Sequence, residues 1–255
     1  MSSLEGRFGV WTNVTEAALG HLHEVQGLGF DYLVVRVVHR EGSTTVPHSP
    51  QSLKQLLFDA KTIGLKVIAW AYVFPNNIQV QIDGIAAALP EGIDHLILDA
   101  EDEWHNADTS VVDELFHGIA EATGHRVNLH LSSYCNPDDH NIPVDAMLAH
   151  CQSFMPQAYH IGNTPISRIM MRVQDQCVGP ASRSLGGQLI PTINAPEMLP
   201  QMKNKQFMGV NVWLWHDDPL PPQPLDDKGV QNREALWTPV IQDYTAWRTA
   251  NPATN

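Results

Sequence analysis

Eight stretches of the chain read as β-strands, several of them nearly continuous apolar runs, and most are separated by helix-like or loop segments. The runs are Arg7–Thr12, Tyr32–Val38, Lys66–Phe74, the acid-tipped run that begins at Ile93, Arg126–Tyr134, Ser153–Tyr159, Gln188–Asn194 and Met208–Trp215. Unbroken apolar strands are those covered on both faces, as in a parallel sheet. Between them, Thr15–Gln26, Pro50–Ile63, Gln79–Leu89 and Ser110–Ala122 read as helices. Glycines at Gly27, Gly29 and Gly64 end the first two. Glu234–Thr249 reads as a closing helix with Leu236, Val240, Tyr244 and Trp247 along one side. Strand followed by helix, repeated about eight times at this length, predicts one (β/α)8 TIM barrel spanning residues 1–255. The long stretch Ile161–Gly187 and the proline-rich loop Pro219–Pro224 fit this repeat less well. An open doubly wound sheet is the structural alternative, but no glycine-rich phosphate loop follows the first strand.

The fourth run, Ile93-Asp-His-Leu-Ile-Leu-Asp-Ala-Glu-Asp-Glu-Trp104, carries the most chemistry. Side chains alternate along a strand, so Asp99 and Glu101 share one face with Ile97, while Leu96, Leu98 and Ala100 take the other. Two neighbouring carboxylates at a buried strand end repel and lose water, which pushes at least one pKa upward. Glycosidases use this arrangement to keep one acid protonated beside an ionised partner.

Composition narrows the field. Only 17% of the 255 residues are charged and 43% are hydrophobic, enough for a full core. The net charge of −13, from 28 acids and 15 bases without a basic cluster, argues against nucleic acid and against anionic membranes. No apolar run approaches the roughly 20 residues that span a bilayer. The first residues hold no signal-peptide core, so the expected location is the cytoplasm of the producing cell, with a signal-independent exit left open. Cys135, Cys151 and Cys177 are too few and too widely spaced for a disulfide framework or a zinc motif.

In such barrels the active site gathers at the C-terminal ends of the strands. That rim would hold Tyr72, Asp99, Glu101, Ser133, Tyr134, Gln157, Tyr159, Trp213, Trp215 and Asp217, with Trp104 just beyond the acids. Aromatic rings stack on the apolar faces of sugars, and amides and hydroxyls bind their hydroxyl groups, so a carbohydrate cleft is expected. Trp70 and Trp213 are equally compatible with core filling, and Trp104 with a loop anchor. Arg36, inside an apolar strand, needs a buried partner, and a fourth-strand carboxylate is the natural one. Asp102 and Glu103 read as solvated loop acids.

These residues resemble the lysozyme-type family 25 glycoside hydrolases, whose barrel carries a strand ending in Asp-x-Glu, matched by Asp99-Ala-Glu101. Phe30-Asp-Tyr-Leu-Val-Val-Arg36 resembles that family's second strand, and Ala60–Tyr72 its passage from helix to third strand. A more distant resemblance is to the family 18 chitinases, whose Asp-x-x-Asp-x-Asp-x-Glu is matched by Asp94, Asp99 and Glu101 with Ile97 replacing an acid. Met155-Pro-Gln-Ala-Tyr159 is a distorted counterpart of that family's sixth strand. The lysozyme-type family also carries an acid near the first strand's end, where this chain has Thr12 and Asn13.

The resemblance implies hydrolysis of a β-linked glycan containing N-acetylhexosamine, peptidoglycan-like or chitin-like, without cofactor or metal. Glu101 would be the general acid, its pKa raised by Asp99 and burial. Asp99 would stay charged, to stabilise the transition state or orient the 2-acetamido group. Gln157 and Tyr159 would hold the reacting sugar and Trp215 would floor the subsite. Tyr72, Tyr134, Trp104, Asp217 and Arg36 complete the expected binding set. Two rivals stand beside this reading. One is a metal-dependent barrel enzyme with Asp99, Glu101, His130 and Asp217 around a divalent ion. The other is a non-catalytic glycan-binding or structural barrel.

Overall fold

A computed structural model describes residues 3–12, 15–41, 44–47, 50–213 and 233–252. In chain order the elements are β1 (Phe8–Thr12), α1 (Thr15–Gly27), β2 (Tyr32–Arg36), β3 (Val38–Glu41), β4 (Thr44–Pro47), α2 (Pro50–Thr62) and β5 (Lys66–Tyr72). There follow α3 (Ile78–Ala88), β6 (His95–Asp99), α4 (Thr109–Ala122), β7 (Asn128–Tyr134), α5 (Val144–Leu148), β8 (Ser153–Ala158), α6 (Ile166–Arg172) and α7 (Val178–Ser182). The chain closes with β9 (Gln188–Leu189), β10 (Thr192–Ile193), α8 (Met198–Asn204), β11 (Val210–Val212) and α9 (Arg233–Ala250).

The main sheet runs β10-β11-β1-β2-β5-β6-β7-β8-β9, and β10 also pairs with β8. All these pairings are parallel. Eight strand paths therefore close on themselves, and the fold is a (β/α)8 TIM barrel.

Three local differences from the sequence expectation stand out, two of them caused by proline. The seventh path is split into β9 and β10 because Pro191 interrupts it and has no N–H to give the ladder. The second run ends sooner than expected, and residues from Val38 turn into an antiparallel hairpin with β4. The awkward stretch after Ile161 is helical. Between α6 and α7 it passes through a π-turn at Val173–Cys177, just before Pro180, which cannot donate to the carbonyl four residues back. The proline-rich loop Pro219–Pro224 and the end of the eighth run lie outside the described residues.

Strand alternation sorts the side chains into two compartments. Phe8, Val10, Leu33, Val35, Val67, Ala69, Leu96, Leu98, Leu129, Leu131 and Phe154 face the helices in one continuous core. Leu4, Trp11, Tyr32, Val34, Ile68, Trp70, Ile97, Met155 and Ile190 form a second cluster within the barrel, with Tyr72 and Trp213 packed on it. The lumen is partly polar: the Tyr32 hydroxyl donates to Asn211 Oδ1 at 2.6 Å, where both lie over Gly9. A Cβ on Gly9 would sit 2.0 Å from the Tyr32 ring, so only glycine lets these side chains cross the lumen there.

Helix ends follow the sequence cues. Asp108 caps α4 by accepting the Ser110 N–H at 2.8 Å, a contact that holds its carboxyl below the ordinary value. Gly29 (φ 86°) and Gly64 (φ 76°) take the left-handed turns before β2 and β5. Arg248 on α9 donates to Asp31 Oδ2 at 2.7 Å, tying the closing helix to the entry of β2. The three cysteines are buried free thiols. No helix among the described residues is long and apolar enough to cross a membrane.

Candidate active site

The parallel strands aim their C-terminal ends at one mouth, and β6 delivers Asp99 there. Asp99 is 2% exposed and pairs in register with Ser132 on β7 and Tyr72 on β5. Glu101 lies two residues on, half-buried and already out of the ladder. One side chain from β8 binds both acids. Gln157 Nε2 donates to Asp99 Oδ1 at 2.9 Å and to Glu101 Oε1 at 2.7 Å, with Ser132 Oγ at 3.5 Å. The Tyr134 hydroxyl donates to the other Glu101 oxygen, Oε2, at 3.3 Å.

Burial dominates the electrostatics. Removal from water, reinforced by the charge of Glu101, pushes the Asp99 carboxyl up to about 8, against the pull of the Ser132 and Gln157 hydrogen bonds and the Arg36 charge. The sequence expectation that Asp99 stays charged runs against this shift, because Asp99 is enclosed by β5, β7 and β8. Burial also raises the Tyr159 phenol far above its ordinary range, and the charges of Asp99 and Glu101 add to it.

Arg36 was expected to answer a fourth-strand carboxylate. Burial lowers its pKa and the charge of Asp99 opposes that shift, so the two are electrostatic partners. Its Nε donates to the Val38 carbonyl at 3.0 Å and its guanidinium lies 5.1 Å from the centre of the Trp70 ring. Tyr72 is also at the mouth, but its hydroxyl donates to Glu103 Oε2 at 2.7 Å. Glu103 is thus an exposed acid with a specific partner.

Under the acids lies a group of tryptophans that composition could not order. Trp11, Trp70 and Trp213 have ring centroids 5.1–5.7 Å apart, and Tyr159 lies 6.0 Å from Trp213. Trp11 and Trp70 are almost wholly buried, and the Trp70 indole donates to the Thr12 carbonyl at 3.1 Å. Trp213 is partly exposed and supported from below by the other two.

Trp104 does not join the mouth. It is fully buried against Phe116, with its indole N–H on the Val73 carbonyl at 2.9 Å, so it anchors the loop after β6 and presents no face to a ligand. Ser133 points into the helical shell, and its neighbour Ser132 takes the inward place; the alternation that paired Asp99 with Glu101 carries this signal too. Trp215 and Asp217 lie outside the described residues. His130, one of the expected metal ligands, sits deeper in the barrel with one ring nitrogen 2.8 Å from His95 Nδ1 and the other 2.7 Å from Ser153 Oγ. Both its ligating positions are engaged away from the acids. Among the described residues, no group of three or more His, Cys, Asp or Glu is placed to hold a metal ion.

Comparison with known proteins yields fold relatives only. No protein-family model matches the chain, and no curated protein sequence matches it. Among solved structures, concanavalin B superposes with a TM-score of 0.58 at 12% identity, covering 95% of this chain and 100% of that one. A xylanase-A-amylase inhibitor protein gives 0.52 at 14% identity, over 83% and 93% of the two chains. An HpcH/HpaI aldolase from Desulfitobacterium hafniense gives 0.50 at 13% identity, over 82% and 86%. Identities this low establish the barrel alone.

Proposed function

We propose that this barrel is a glycoside hydrolase acting on a β-linked glycan that contains N-acetylhexosamine. The observation that supports this most is the carboxylate pair on one amide: Gln157 Nε2 donates to Asp99 and Glu101 together at the open end of the barrel. Burial raises the Asp99 carboxyl strongly, which favours a pair that shares one proton near neutral pH. In this reading substrate binding passes that proton to Glu101, which donates it to the leaving glycosidic oxygen as the C–O bond breaks. Asp99, now ionised, stabilises the oxocarbenium-like charge or holds the 2-acetamido group for attack on the anomeric carbon. Water then adds to that carbon and returns a proton to Glu101. Trp213 and Tyr159 supply faces for the sugar, and no step requires a metal or a cofactor.

The aldolase-type neighbours suggest no better chemistry. An amine-based aldol mechanism uses a lysine near the reacting carbon. The one lysine on the described barrel strands, Lys66, stands at the far end, 3.1 Å from Asp94. One observation does favour a binding role without turnover: both Glu101 oxygens already carry hydrogen bonds, from Gln157 and Tyr134. The two readings separate in one experiment. Purified protein is incubated with peptidoglycan, chitin oligomers and neutral glycans, and products are read by mass spectrometry for wild type and Glu101→Gln. Fragments from wild type alone support hydrolysis. Binding without fragments from either protein supports the lectin-like reading, and equal fragments from both remove Glu101 from its role.

A further inference from the structure

The loops that follow β6 and β7 are laced together beside the acid pair. The Asn106 N–H donates to the Asn141 carbonyl at 3.0 Å, and Asn141 Nδ2 donates to Asn106 Oδ1 at 3.0 Å. Both asparagines take left-handed backbone, φ 55° and 51°, a conformation that asparagine tolerates better than most residues. His105 Nδ1 donates to the His140 carbonyl at 2.7 Å, and His140 Nδ1 donates to Asp102 Oδ1 at 2.9 Å. Four contacts thus join two segments that share no strand pairing.

The lacing ends on the site. The His140 ring packs on the Tyr134 ring with centroids 4.2 Å apart, and the Tyr134 hydroxyl reaches Glu101 Oε2. Glu101 has left the β-ladder, and among the described residues two hydrogen bonds hold its carboxylate. Gln157 holds one oxygen from inside the barrel, and Tyr134 holds the other from the solvent side. Tyr134 is itself partly exposed and needs support to stay put.

We propose that His140 is a positioning residue: clamped by Asp102, it holds Tyr134 against Glu101 and so aims the Glu101 carboxylate into the mouth. This rests on Glu101 being the working acid of the proposed hydrolysis. Misaiming a proton donor slows the chemical step and leaves ground-state binding largely alone.

The test compares His140→Ala with His140→Phe, which keeps a stacking ring, on N-acetylglucosamine oligomers. His140→Ala should lower kcat about tenfold with KM within about twofold, and His140→Phe should recover kcat to within about threefold of wild type. An unchanged kcat in His140→Ala overturns the proposal. So does a His140→Phe protein as impaired as His140→Ala with a matching fall in Tm. A second arm does not depend on catalysis. In protein labelled with 13C-tyrosine, the Tyr134 resonance is assigned by its loss in Tyr134→Phe and followed by NMR to about pH 11, where an ordinary phenol is mostly ionised. The wild-type ring should stay protonated there, since burial and the Glu101 charge oppose ionisation, and His140→Ala should let it begin to titrate. Identical titrations overturn the clamp. If the wild type cleaves no glycan, the hydrolase reading fails while this arm still decides whether His140 holds Tyr134.

Discussion

The strands β6, β7 and β8 carry two buried polar clusters on the same inward face, one at each end, and the two are built for opposite ends. At the mouth, Asp99, Ser132 and Gln157 surround a carboxyl that burial drives toward its protonated form. Toward the floor, His95, His130 and Ser153, each at most 1% exposed, form a hydrogen-bonded chain. Asp94 Oδ1 lies 3.7 Å from His95 Nε2, and Lys66 binds Asp94 at the solvent edge. Burial, then the charges of His95 and Lys66, push His130 well below the ordinary histidine value. The floor is an enclosed hydrogen-bonded network in which burial favours the neutral form of His130. The mouth adds a second acid, Glu101, at its open edge. Location on the barrel axis, more than residue type, separates an enclosed polar cluster from one that opens on the mouth.

The largest contrast should appear on mutation at pH 7. Glu101→Gln should cut turnover by about 10²–10⁴-fold while Tm moves by less than about 3 °C, equivalent to under 1 kcal/mol. His130→Ala should do the reverse. It strands two buried partners and opens a cavity, so stability falls by about 3 kcal/mol, while the folded fraction keeps its kcat. Denaturant melts and steady-state rates on both variants check this. A His130→Ala protein of normal stability would dissolve the contrast.

A smaller and opposite effect is expected at Asp99. Its folded value lies above the unfolded one, so the folded state keeps a proton that the unfolded chain releases from about pH 4 upward. That contribution is fully present at low pH and is lost as pH rises toward about 8. Asp99→Asn removes the cost of ionisation. It should stabilise the protein at pH 8 by roughly 1–3 kcal/mol and by much less at pH 5. Equal gains at the two pH values would show that Asp99 ionises normally.

The smallest effect is the acid slope of the wild type. His130 binds its proton less well folded than unfolded, so its contribution is complete above about pH 6.5 and falls as pH drops. Between pH 7 and pH 5 the floor should cost roughly 1–2 kcal/mol, and this slope should flatten in His130→Ala. The mouth and floor thus bend the stability curve in opposite directions.

Much of this was legible in the chain. Helices α2, α3, α4 and α9 fall within a residue or two of the segments marked by apolar spacing, because their inward stripes and glycine stops are local signals. The shared face of Asp99 and Glu101 follows from strand alternation alone. Proline effects at Pro191 and Pro180 were local too, but their outcome depended on how neighbouring elements accommodated the missing N–H groups.

By itself, the sequence determined the strand–helix repeat and the face on which each strand residue lies, since both depend on periods of two and 3.6 residues. Tertiary structure alone decided depth. It placed Trp104 in the core and Trp213 at the mouth, buried Asp99 deeply enough to raise its carboxyl, and set His130 among floor residues away from the carboxylates. Depth arises when eight strands distant in sequence close around a common axis, and the dielectric and partners that fix a group's chemistry exist only after that closure.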